Sequence, residues 1–175
     1  MKALALVAVA TLHCACATRL WPAPASFAAP QSDTLNLALG FEFVPPPASS
    51  LLKAACSRYL TLLQASGEFA SDGLTAVAIQ VASPDETLAF GVDESYTIAI
   101  NGSSAIIEAK TVYGALHAME TFVQLADDYG PSSQKFLAVP AQLHVEDAPR
   151  FAWRGLMIDV SRIGLQRPLP HMPHG

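Results

Sequence analysis

The sequence predicts an α+β domain with helices on one face of a mostly antiparallel sheet, and three observations carry this. Two segments repeat apolar residues every three and four positions, the period of a helix with one buried side. Around them lie short runs rich in β-branched residues, two of which flank Asn101-Gly102, a hairpin signal. The order strands, helix, strands, helix, strand describes one compact unit over residues 18–148.

The elements follow in order. Residues 1–17 read as a signal peptide: Lys2 gives a positive start, Ala3 to Leu12 an apolar stretch, and Ala15-Cys16-Ala17 a small-residue cleavage site. That stretch is too short to span a bilayer, and no transmembrane candidate follows it. Leu20-Trp21-Pro22-Ala23-Pro24 is an extended, proline-stiffened lead. Leu35 to Val44 reads as one or two strands, ended by Pro45-Pro46-Pro47.

Ser49 or Ser50 can cap a helix whose stripe is Leu52, Cys56, Tyr59 and Leu63, with Gly67 as its stop. Leu74 to Val81 alternates as a strand, and Ser83-Pro84-Asp85 turns the chain. Tyr96 to Ile100 and Ala105 to Glu108 form the hairpin, with a type I′ turn expected at Asn101-Gly102. From Thr111, the residues Val112, Leu116, Met119, Val123 and Ala126 keep helical spacing as far as Gly130-Pro131. Phe136 to Val139 and Leu143 to Glu146 are short strands. Gly155-Leu156-Met157-Ile158-Asp159-Val160 is an apolar run closed by an acid, which fits a strand buried on both faces, as in a parallel sheet or barrel. Residues 163–175, with Pro168, Pro170 and Pro173, are expected to be disordered.

The chain of 175 residues is mildly acidic, at a formal −5, with neither sign of charge clustered. It offers no basic stripe for nucleic acid and no polybasic tract for anionic lipid. Loss of residues 1–17 leaves Cys56 alone, so no intrachain disulfide is available. Cys56 reads as a buried structural thiol. A half-cystine paired beyond residue 175 is the other reading.

Two blocks carry a resemblance. One is Thr111-Val112-Tyr113-Gly114-Ala115-Leu116 with Glu120-Thr121-Phe122-Val123-Gln124-Leu125. The other is Pro149-Arg150-Phe151 followed by Arg154-Gly155, the apolar run, and Asp159-Val160-Ser161-Arg162. Together with the early Trp21-Pro22, they make the chain resemble the β-N-acetylhexosaminidases, exo-acting glycoside hydrolases of the family 20 type. In that family the second block ends in histidine after the arginine, whereas Ile163 stands here. The resemblance implies that residues 18–148 are the small domain before a (β/α)8 barrel. Residues 149–162 would then be the first strand of that barrel, here truncated.

It also implies the chemistry. The family uses the substrate's own acetamido oxygen as nucleophile, an exception to the two-carboxylate scheme, with retention and no cofactor. A glutamate protonates the leaving oxygen and a neighbouring aspartate orients the acetamido group, both on a later barrel strand. The sequence stops before such a strand, so no catalytic residue is assigned and the chain alone is expected to be inactive. The matching arginine, Arg162, would hold ring hydroxyls of a terminal N-acetylhexosaminide, for which a planar five-donor fork is suited. Asp159 would support it, or simply end the apolar run. In a parallel barrel the C-terminal strand ends face the active site. Arg162 therefore points at substrate, and Arg154 is a bottom-rim residue.

Asp85-Glu86 and Asp93-Glu94 are read as solvated turn acids. His117, His144, His171 and His174 do not assemble a metal site. Asn101-Gly102-Ser103 is a glycosylation sequon at the hairpin tip. The reading is thus the N-terminal part of a secreted or lysosome- or vacuole-type glycosidase, with dimerisation of the parent left open. The alternative is a secreted module that binds sugar or protein without hydrolysis.

Overall fold

A computed structural model describes residues 20–30, 33–128 and 136–157. The signal-peptide reading of 1–17 and the tail reading of 163–175 lie outside them. Among the described residues seven strands form one sheet: β1 (Ser26–Ala28), β2 (Thr34–Val44), β3 (Leu74–Ser83), β4 (Tyr96–Asn101), β5 (Ser104–Thr111), β6 (Ala138–Pro140) and β7 (Gln142–Asp147). The helices are α1 (Ser50–Ser66) and α2 (Val112–Asp128). The strand order is β1-β7-β4-β5-β3-β2-β6. The β2–β3 and β3–β5 pairings are parallel and the other four antiparallel, so the sheet is mixed. The first parallel pair follows from α1, because a parallel return needs a long crossover.

Alternation puts Tyr96, Ile98 and Ile100 of β4, Ala105, Ile107 and Ala109 of β5, and Leu143 and Val145 of β7 in the core. Leu52, Ala55, Cys56, Tyr59 and Leu63 of α1 face the same core, as do Val112, Ala115, Met119, Phe122 and Leu125 of α2. Phe41 stacks on Phe122 at 5.8 Å while Phe43 meets both rings edge-on, joining β2 to α2. Cys56 is buried and free, with Sγ 4.0 Å from Met119 Sδ. Burial pushes its thiol pKa up to about 11, which removes thiolate reactivity at neutral pH.

Ser49 is the cap of α1: buried, it accepts from the Leu52 N–H at 3.1 Å. Gly67 ends the helix in an extended conformation, not the left-handed one. In the hairpin, Asn101 pairs with Ser104, so the central residues are Gly102 and Ser103. Only Gly102 has positive φ, at 56°. The type I′ expectation is therefore corrected to the φ pattern of type II′, in which glycine stands first. Just after the lead, Ser26–Ala28 forms β1, a strand not expected from the sequence, which pairs with β7. Among the described residues no helix is long and apolar enough to cross a membrane.

Candidate functional site

The segment leaving the domain at residue 149 is where the fold meets the expected barrel. Residues 155–157 carry no strand pairing, and Trp153 and Met157 are 80% and 89% exposed. A strand meant for burial on both faces needs a neighbour on each side, and none pairs with it among the described residues. Asp159 and Arg162 lie outside the described residues.

Arg154 ties this segment to the domain. Its Nη2 donates to both oxygens of Glu94, at 2.8 and 2.7 Å, and its Nη1 donates to the Phe151 carbonyl. Nε2 of His117, on α2, lies 2.9 Å from Glu94 Oε1. Burial pushes the Glu94 carboxyl up, but the hydrogen bonds from Arg154 and then His117 outweigh it and hold the group below the usual carboxylate range. With Glu94 ionised, His117 Nε2 must carry the proton it shares.

Two of the four turn acids are thereby read differently from their sequence. Asp85 and Asp93 do make turns, each accepting from the N–H two residues on, at 2.9 Å. Glu86 instead caps α1 from a distance, accepting from Ser49 Oγ, Ser50 Oγ and the Leu51 N–H. Glu94 is only 19% exposed and is a structural anion. A proton donor needs a raised pKa, and Glu94 has the opposite.

The position of Glu94 depends on α2. Thr111 Oγ1 donates to the Asp93 carbonyl at 2.6 Å, and the helix brings Gly114 against the same loop. A Cβ on Gly114 would lie 2.5 Å from the Ser95 carbonyl oxygen. Here the family-like Thr-Val-Tyr-Gly run has a steric reason, because only glycine allows this approach.

A second tether holds the lead. The Gln124 side chain accepts from the Trp21 N–H at 2.8 Å and donates to the Trp21 carbonyl at 3.1 Å, as a strand would. Tyr96 Oη donates to Asp147, whose other oxygen accepts from the Ala25 N–H. Burial drives the Tyr96 pKa far up, so its proton stays in place. Between lead, α2 and exit segment opens a cleft of about 770 Å³, lined by Trp21, Tyr96, His117, Glu120, Phe151 and Arg154. Sequence reasoning missed Gln124 and Glu94 as anchors, because each acts on a residue far away in the chain. Among the described residues no group of three His, Cys, Asp or Glu could hold a metal ion.

Comparison with known proteins gives a consistent answer. Residues 20–125 match a family model described as beta-acetyl hexosaminidase like. Beta-hexosaminidase 1 of Arabidopsis thaliana is 36% identical over 167 residues, covering 82% of this chain and 30% of its own length. A beta-hexosaminidase of Emericella nidulans is 47% identical over 88 residues, 49% of this chain and 14% of its own. A chitobiase structure from Flavobacterium johnsoniae superposes with a TM-score of 0.67 at 27% identity, covering 82% of this chain and 23% of that one. The chain spans under a third of the length of the Arabidopsis relative. It belongs to the β-acetyl-hexosaminidase-like family of glycoside hydrolases.

Proposed function

We propose that the chain is the N-terminal part of a β-N-acetylhexosaminidase that releases terminal N-acetylhexosamine residues by substrate-assisted, retaining catalysis. The family match over residues 20–125 carries this reading. Residues 18–148 serve as a folded support and 149–162 as the entry into the catalytic barrel. Arg162 grips ring hydroxyls of the terminal sugar, and Asp159 stands behind it. The residues 1–17 leader routes the protein into the secretory pathway, to the outside or to a lysosome- or vacuole-like compartment. Residues 1–175 alone do not hydrolyse substrate, since the proton-donating glutamate and its aspartate belong to a later strand.

The test is kinetic. In the full-length parent, Arg162→Ala removes a charge-assisted interaction worth about 1.5–3 kcal/mol. That lowers kcat/KM on a chromogenic N-acetylglucosaminide roughly 10- to 150-fold, with the melting temperature little changed. An unchanged kcat/KM would refute the assignment of Arg162. Retained binding of N-acetylglucosamine oligomers by a parent with no hydrolysis at all would favour the non-catalytic module.

A further inference from the structure

We propose that Asn101 carries an N-linked glycan that stands on the face of the sheet opposite the helices. The inference rests on the secretory routing proposed above, but the placement comes from the fold. In β4 the side chains of Ile98 and Ile100 point into the core. Alternation therefore sends Thr97, Ala99 and Asn101 to the other side. The partners there are Ser104 on β5 and Gln142 on β7, so Asn101 ends a polar row at the rim of the open face. Asn101, Gly102, Ser103 and Ser104 are all exposed.

The state of the amide also favours transfer. Turn acids of this domain spend their side chains on the backbone two residues ahead, as Asp85 and Asp93 do. Asn101 makes no such bond to the Ser103 N–H; its own backbone pairs in the ladder, and the neighbouring Gly102 N–H donates to the Ala141 carbonyl at 2.9 Å. Among the described residues the Asn101 side chain has no hydrogen-bond partner. Its Nδ2 is open to form a bond with the anomeric carbon of an oligosaccharide carried on a polyprenyl diphosphate. The bond from that carbon to the diphosphate oxygen breaks, the diphosphate leaves with the electron pair, and one amide proton passes to the transferase. Ser103 supplies the hydroxyl that the acceptor sequence requires. The chain has one other asparagine, Asn36, and Asn36-Leu37-Ala38 lacks that hydroxyl.

The experiment is translation of the whole chain with microsomes, once with its own leader and once with an unrelated secretory leader replacing residues 1–17. Protease-protected product should gain a single step in mass. An amidase that cleaves the sugar–asparagine bond should remove it, and peptide mass spectrometry should place it at residue 101. Asn101→Gln and Ser103→Ala should each abolish the step, and Ser103→Thr should keep it. A protected chain with unmodified Asn101, or a step that survives Asn101→Gln, overturns the proposal. A glycan with the foreign leader alone upholds the acceptor and overturns the routing.

Discussion

Residues 33–128 and the exit segment 149–157 are comparably rich in apolar side chains, yet they behave in opposite ways. In the first, most of the apolar side chains of strands and helices pack together, although Leu39, Leu88 and Phe90 stay exposed. Phe41, Phe43 and Phe122 close on one another, and two helices cover one side of the sheet. In the second, Phe151, Trp153, Leu156 and Met157 remain in water. The difference is not composition but the presence of neighbours. A helix satisfies its own backbone and needs one covering surface, whereas a strand buried on both faces needs two flanking strands as well. Packing holds the body, and a few polar contacts hold the exit.

The largest effect should therefore come from disturbing packing inside the body. Gly114→Ala places a methyl against the Ser95 carbonyl oxygen and 3.1 Å from the Glu94 carbonyl carbon. Both are backbone atoms that cannot swing aside. Overpacking of this kind costs about 1–3 kcal/mol, read as a lower denaturation midpoint of the whole domain. A midpoint equal to wild type would break the claim that α2 needs this close approach.

Next comes the cap of α1. Ser49→Ala removes the acceptor for the Leu52 N–H and the hydroxyl that donates to Glu86 at 2.8 Å. Losing such a cap costs about 0.5–2 kcal/mol. The same global midpoint should report it, because α1 lies within the cooperative unit. A change seen only in local hydrogen exchange at the start of α1 would put that helix outside the unit.

These cases also show what was legible beforehand. Both helices, the long strand and the hairpin could be read because period and turn residues are local signals. Ser49 was legible as a cap for the same reason. β1 was not, since three residues between prolines become a strand only when β7 supplies the ladder from residues 144–146. Nor were Glu86 and Glu94, whose partners lie 35 and 60 residues away. Before folding, a glutamate beside an aspartate in a turn looks the same whether it ends in water or on a distant arginine. At the expected site, the described residues reach Arg154 and stop short of Asp159 and Arg162.

The smallest effect on global stability, and the sharpest on the contrast, should come from Glu94→Gln. The variant keeps the shape but loses the charge that Arg154 and His117 share. Arg154 is 43% exposed, so the pair is partly screened and a coupling of about 0.2–1 kcal/mol is the scale. The body should melt almost unchanged while residues 149–157 exchange hydrogen faster and are cut sooner by protease. The pH dependence has a fixed sign. The folded-state pKa of Glu94 is depressed, so the tether is intact above the ordinary glutamate pKa and is lost as pH falls through the lowered value. In wild type, protection of the exit segment should thus decline in acid. In Glu94→Gln it should be low at every pH, and Arg154→Ala should match it. If either variant instead lowered the melting of the body as much as Gly114→Ala, Glu94 and Arg154 would be part of the domain's foundation. The exit segment would then be no separate tether.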